Sequence, residues 1–454
     1  MGKQKIQSGY IECLDKPYIF TYDGELLQLV PKDKELIKPY DSLKNSNQHL
    51  EILEGVTQKH ERICFLNCKL QVFNSGYISK PAGFICFNSN IDTFDVITFR
   101  GGIMDFFYRP NQIVDTKNSS CDYETGESLI KLKPFDETSK YCDILIDDKK
   151  ANLMISITQP GIPSHLEIDY NLGKPRTILR LTFDDPVEIS DFRNIYMWVY
   201  NLMVFLNFRK DVYMGEVELG KLNEERKIAK VAYTHIIERD KAEITDINRI
   251  IGYYFISNQL NELLQIVNKP DLNLLFIPNS VKSDKYLLPE QYMICCTSFE
   301  SVFNLAFPNA KMEFSQKANE VKEEFLKYIS DKEKEYKGVD AKKRKEFNKY
   351  ADMIKLLDFG LAEKFEHCQL KYETIMNNYV QKLKYRLSFT QQEFEGIAQS
   401  FAKKRNMFMH NSLEDFEDIH IMAYTLARVF IYAMILEKAG VENDMIIQAI
   451  DKVV

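Results

Sequence analysis

Near residue 240 the hydrophobic period of the chain changes, and one kind of layer cannot satisfy both sides of that change. Upstream, Cys64, Leu66, Cys68, Leu70 and Val72 alternate with Asn67, Lys69 and Gln71, the period-two pattern of a half-buried strand. Leu153, Ile155 and Ile157 alternate with Met154, Ser156 and Thr158, and Thr177, Leu179, Leu181 and Phe183 alternate around Arg180 and Thr182. Gly and Pro clusters at Ser79-Lys80-Pro81, Arg100-Gly101-Gly102 and Gln159-Pro160-Gly161 separate the runs, which predicts an antiparallel sandwich or open barrel. One helix interrupts it, with Ser190 as its cap and Phe192, Ile195, Tyr196, Val199, Met203 and Leu206 on one face. Strands are expected near 211 to 219 and 228 to 236. Residues 1 to about 60 show no clear period, and Pro17, Pro31 and Pro39 break any long element there.

Downstream the period is helical. Ile247, Ile250, Ile251, Tyr254 and Phe255 are followed by Leu260, Leu263, Leu264 and Val267, then by a Pro-containing connector from Lys269 to Asp284. Pro289 suits the first turn of a helix with Tyr292, Cys295, Phe299, Val302 and Ala306 on its buried face. Residues 311 to 349 form a charge-dense helical segment, with helices expected at about 346 to 358 and 361 to 386, and a last long helix from Leu413 to Gly440 before a short terminal one. The class is therefore α+β: a β-rich sandwich or barrel-like domain over 1–240, a helical connector over 241–285 and an all-α bundle over 286–454.

One stretch of the bundle carries chemistry. Thr390 and Glu393 stand in the relation of a capping box, with Phe389 and Phe394 as its hydrophobic staple, so a helix starts there. At 100° per residue Phe394, Ile397, Ala398, Phe401, Arg405 and Phe408 fall within one arc of about 100°, which puts a guanidinium inside an apolar stripe. Asn406 and His410 are an i, i+4 pair on the adjoining flank, and Asn411-Ser412 break the helix, so His410 sits at a helix C-terminus that favours its imidazolium.

Arg405, Asn406, three residues and then His410, at the end of a helix in an all-α half, resembles the R-x(4–6)-H signature of the HEPN ribonuclease superfamily. The surrounding IAQSFAKKRNMFMHNS is most similar to the ApeA-type HEPN branch of bacterial anti-phage proteins. The layout of the first half, with its late helix WVYNLMVFLNFR, is similar to the β-rich domain that accompanies that branch. The resemblance implies a HEPN helical bundle that dimerises so that two motifs face one cleft, Asn406 orienting the phosphate or the His, and ends that are 2′,3′-cyclic phosphate and 5′-hydroxyl. It further implies RNA as substrate, tRNA and its anticodon loop in particular, abortive infection as the setting, and a phage-derived activator.

The residues themselves support a metal-independent cleavage. RNA carries its own nucleophile, so the site needs a proton acceptor and donor, which His410 can supply, and a cation at the phosphorane, which the Arg405 fork can supply. No cofactor and no metal is expected. Five residues of helix place the two groups roughly 140° apart, so one copy is an incomplete site. Lys403 and Lys404, and the basic run Lys342, Lys343 and Arg344, are the candidate RNA contacts. A net charge of −7 over 454 residues gives no global basic field, so any such contact is local.

Plainer roles stand beside these. Arg405 can pack its stem in the bundle and pair its head with a core acid such as Glu300, leaving a non-catalytic HEPN module that dimerises and binds a nucleotide or partner. His410 can bond the last carbonyls of its helix. The basic run can be a solvated face. Cys64, Cys68 and Cys295-Cys296 suit core packing, without finger-like partners. The β-rich domain can be a glycan- or peptide-binding module that carries the main function. Nine scattered Cys, the start MGKQKIQS and a longest apolar run, from Ile195, interrupted by Asn201 fit a cytoplasmic protein that does not span a membrane.

Overall fold

A computed structural model describes residues 7–32, 48–73, 76–88, 91–121, 128–129, 131–158, 175–236, 249–308, 316–356, 360–384, 394–409 and 415–453. The fold is α+β, an antiparallel β region followed by a helical region. The chain divides into two compact units, Met1–Asn268 with Val453 and Lys269–Lys452 with Val454.

The first unit contains β1 (Gln7–Cys13), β2 (Lys16–Tyr22), β3 (Leu27–Pro31), β4 (Gln48–Thr57), β5 (Arg62–Phe73), β6 (Gly76–Ser79), β7 (Gly83–Phe87), β8 (Thr93–Arg100), β9 (Ser120–Cys121), β10 (Ser128–Leu129), β11 (Lys140–Ile146), β12 (Lys149–Ile157), β13 (Thr177–Glu188), β14 (Glu216–Leu222) and β15 (Ile228–Ile236). Among the described residues β9 and β10 pair with each other, and the rest make one sheet in the order β11-β12-β13-β8-β14-β15-β7-β5-β4-β1-β2-β3-β6. Because β5 also pairs with β6, the strands β5, β4, β1, β2, β3 and β6 close into a barrel. The sandwich alternative gives way to a barrel continued by an open sheet.

A single residue explains the closure. Asn67 has a left-handed backbone, φ 55°, in the middle of β5. Before it, Arg62–Leu66 pair with β7; after it, Gln71–Phe73 pair with β6. The inward face changes parity at the same place, from Ile63 and Phe65 to Cys68 and Leu70, which join Tyr18, Phe20, Tyr22 and Leu29 in the barrel core. A left-handed residue interrupts a ladder and bends its strand, so β5 leaves the open sheet and enters the barrel. Gly9 lets β1 lie close against β4, since a Cβ there would sit 2.0 Å from the Val56 carbonyl oxygen.

The described residues 7–32 and 48–57 differ from expectation, containing four regular strands where no clear period was expected. The expected helix is Phe192–Asn207, ended by Phe208 in the left-handed region, and Ser190 lies in a 3-10 turn before it instead of capping it. The helix Leu260–Val267, expected in a connector, belongs to this unit because it packs on Phe192–Asn207 and β11. Asn268 donates to the Trp198 carbonyl at 3.1 Å and the Leu145 amide donates to Asn261 at 3.1 Å.

In the second unit the helices Pro289–Ala306, Leu361–Lys371, Ile397–Met409 and Asp418–Lys438 pack around Phe299, Phe365, Phe401 and Phe430. Asp418–Lys438 is long and apolar enough to cross a membrane, yet most of it is covered within the unit, as in a bundle core. It begins at Asp418, where Glu417 and His420 form a reciprocal cap. Leu413, its expected start, lies outside the described residues. The charge-dense segment is a hairpin of Gln316–Glu335 and Ala341–Leu356, because Gly338 at φ 84° turns the chain and Asp340 accepts from the Lys342 and Lys343 amides. The helix expected over 361 to 386 is divided at Tyr372 into Leu361–Lys371 and Glu373–Lys384.

Candidate active site

The helix Ile397–Met409 is anchored by rings. Burial pushes the Tyr292 phenol well up, so it stays protonated and donates to the Phe401 carbonyl at 3.3 Å. The Tyr292 ring lies 5.4 Å from Phe401, 5.9 Å from Phe408 and 5.5 Å from Phe416. Ile397, Ala398 and Phe401 are fully buried, as the stripe predicts. The next buried residue is Lys404, 1% exposed, whereas the Arg405 side chain is 33% exposed.

What covers each flank of the helix decides this. The chain entering Asp418–Lys438 lies over Lys404, whose Nζ donates to the Asp415 carbonyl at 2.9 Å and stands 5.3 Å from the Phe408 ring and 5.6 Å from the Phe416 ring. Lys404, expected as an RNA contact, is in this structure a packing and bonding residue with almost no exposed surface. Lys403 is exposed.

Arg405 faces two other helices. Its Nη2 is 3.7 Å from Glu300 Oε2, and Lys364 Nζ approaches the other oxygen of the same carboxylate at 3.9 Å. Glu300 is the acid named above as a structural partner for Arg405. Neither contact is of hydrogen-bond length, and exposed or half-exposed pairs of this kind are worth about 0–1 kcal/mol. Arg405 Nη1 donates to Asn406 Oδ1 at 3.3 Å, while its buried Nε has no hydrogen-bond partner among the described residues. Two cations around one carboxylate leave one positive charge, and the guanidinium keeps unused donors. Such an arrangement can take an oxyanion.

Lys364, 9% exposed and 5.8 Å from the Phe303 ring, was not among the sequence candidates. Its only signal is a lysine on the face of Leu361–Lys371 that carries Leu361, Phe365 and Cys368 inward. His410, and with it the Asn411-Ser412 break and the Thr390–Glu393 box, lies outside the described residues. The basic run is on the hairpin: Lys342 and Lys343 are exposed, Lys343 lies 5.2 Å from the Tyr336 ring, and Arg344 pairs with Glu333 at 3.1 Å. Burial pushes the thiols of Cys64, Cys68 and Cys295 up to about 12, so they stay protonated in the core. Among the described residues no group of three or more His, Cys, Asp or Glu is placed to hold a metal.

In the barrel unit a cavity of about 350 Å³ lies at one barrel end, lined by Gln7, Tyr22, Thr57, Glu61, Phe84 and His235 among others. Burial holds His235 below its ordinary range, and the Cys86 thiol donates to Glu61 at 3.8 Å.

No protein-family model, no curated protein and no solved structure matches the chain.

Proposed function

We propose that the protein is a metal-independent RNA endonuclease of the HEPN type, working in two paired copies. The observation that carries this reading is Arg405: one-third exposed, bonded to Asn406, with a buried Nε left over and only a loose carboxylate partner. A phosphate can displace Glu300 at small cost and gain the bidentate fork. His410 then takes the 2′-hydroxyl proton and returns one to the 5′-oxygen, leaving a 2′,3′-cyclic phosphate and a 5′-hydroxyl. Arg405 and Lys364 stabilise the added charge on the phosphorane. In the ApeA-type setting the substrate is a tRNA anticodon loop, where unstacked nucleotides allow in-line attack, and cleavage stops the growth of an infected cell.

The ion pair with Glu300 favours a second reading, in which the helical unit is a non-catalytic dimerisation or nucleotide-binding module and the barrel cavity holds the ligand. Sequencing of RNA 5′ ends after induced expression separates the two. Arg405→Ala and His410→Ala should each cut cleavage by about 100-fold or more without changing the fold. If both variants leave the cleavage pattern and toxicity unchanged, the nuclease reading is wrong.

A further inference from the structure

The open sheet of the first unit keeps two arginines side by side without matched acids. Arg180 of β13 pairs with Thr98 of β8, and Arg100 stands two residues along β8 on the same face. Diagonal neighbours of this kind have Cβ atoms about 7–8 Å apart or less, within reach of long side chains. Arg180 is half-buried; its Nε donates to Thr98 Oγ1 at 3.4 Å, and it makes no ion pair among the described residues. Arg100 has Glu218 of β14 at 3.7 Å, beyond hydrogen-bond length, and Lys230 holds the same carboxylate at 2.6 Å. Glu216, opposite Arg100 on β14, is exposed and makes no ion pair among the described residues. Three cations against these two carboxylates leave a positive excess, and it falls at Arg180. Burial, and then the charge of Arg100, lower Arg180 from its ordinary value, and Tyr141 and Glu218 offset this only in part. By contrast, Arg62 is matched by Glu54 and Asp92, and Arg209 by both oxygens of Asp211.

We propose that Arg180 and Arg100 bind the phosphate of a nucleotide whose base stacks on Tyr141. A half-covered charge beside a like charge is costly, and an incoming anion removes that cost. A phosphate has oxygens enough to meet two guanidinium forks at once, whereas a carboxylate is used up by one. Beyond Arg180 in the same row of the sheet stand Met154 of β12 and then Tyr141 of β11. Met154 is covered, whereas Tyr141 is 59% exposed. Two strand spacings put Tyr141 about 10 Å from Arg180. A nucleotide bridges that separation with its phosphate on the guanidiniums and its base on the ring, and aromatic rings take any base by its face. The site lies within the first unit and does not depend on the nuclease reading.

Isothermal titration calorimetry on the full chain tests it, with AMP and with a 2′-O-methylated adenylate tetramer that offers no 2′-hydroxyl for cleavage. Binding should weaken as salt rises. Arg180→Met and Arg100→Met should each weaken it by about tenfold or more, and Tyr141→Ala by about fivefold or more. Arg405→Ala should not reproduce the loss. Tighter binding of AMP identifies a free nucleotide as the source of the phosphate, and tighter binding of the tetramer identifies a strand; either sustains the proposal. Without ligand, Arg180→Met should unfold at a temperature no lower than the wild type, because no ion pair is lost, and AMP should raise the wild-type midpoint but not that of the variant. A wild type that binds neither probe, or binding indifferent to both arginine variants, overturns the proposal. So does a lowered midpoint in Arg180→Met with its affinity for AMP intact, since Arg180 would then serve the fold alone.

Discussion

The helical unit holds two arginines in opposite circumstances. Arg428, on the central helix Asp418–Lys438, is 6% exposed; its Nη1 is 3.0 Å from Asp284 Oδ1, its Nη2 3.4 Å from Oδ2, and its guanidinium lies 5.0 Å from the Tyr424 ring. Arg405 has its carboxylate at 3.7 Å, beyond hydrogen-bond length, and a side chain that is one-third exposed. The first charge is enclosed and matched, so it can only hold the fold together: it ties the segment before Pro289 to the core helix. The second is held loosely enough to change partners. Burial with a bidentate acid marks a structural arginine, and partial exposure with a loosely held acid marks a candidate site.

The strongest test of that contrast is Asp284→Ala. It leaves the Arg428 guanidinium buried without its carboxylate, and breaking a buried pair from one side costs about 3–5 kcal/mol. Chemical denaturation should show a loss of that size, against less than about 1 kcal/mol for Glu300→Ala. Equal losses in the two variants would erase the distinction between the arginines.

Lys404→Met comes next. The thioether keeps the length of the stem but abandons the Asp415 carbonyl and the Phe408 and Phe416 rings. A part-buried acceptor left without its donor costs about 1–3 kcal/mol, measurable by the same unfolding curves. An unchanged midpoint would mean that Lys404 does not fix the rotation of the helix, and the placement of Arg405 beside Glu300 would lose its support.

These contrasts were only partly legible beforehand. The period change marked the two kinds of structure, and the pairing of Arg405 with Glu300 followed from an acid on the neighbouring helix. The helical wheel could not rank Lys404 against Arg405, since both lie within about 60° of Phe401; only the chain at Asp415 and Phe416 decides which is covered. Lys364 belongs to a helix with no motif. In the barrel, β1 to β3 lacked a visible alternation because their outward positions are apolar too. Val56, Tyr10, Ile19 and Val30 sit side by side across β4, β1, β2 and β3, and all are exposed. Asn67 looked like an ordinary polar position of a strand, and its left-handed backbone appears only where β5 must change partners.

A smaller effect separates the fold from the charge around Glu300 by pH. His367 stands on the helix of Lys364, 5.4 Å from the Phe303 ring and 5.0 Å from the Phe307 ring. Burial, and then the Lys371 ammonium, hold it below the ordinary histidine range. The unfolded chain therefore binds this proton more readily than the folded one. Stability is fully present above the unfolded value and falls as the pH drops through it. His367→Phe should flatten that part of the stability curve while leaving the value near neutrality little changed. A curve of the same slope in the variant would move the acid sensitivity elsewhere.

Glu300→Gln should have the smallest effect on stability and the most direct one on the comparison. The amide keeps the shape of the side chain and removes the charge that Arg405 and Lys364 share. Because the pair is about one-third exposed, solvent screening limits the stability change to a few tenths of a kcal/mol. Affinity for a short single-stranded oligonucleotide, read by fluorescence anisotropy at fixed salt, should instead rise by about threefold to tenfold, since the phosphate no longer competes with a carboxylate. The Arg405→Ala variant should lose that gain, whereas Asp284→Asn should not produce one. If Glu300→Gln costs several kcal/mol and leaves oligonucleotide affinity where it was, Arg405 is a second Arg428, a fixed member of the bundle with no phosphate to hold.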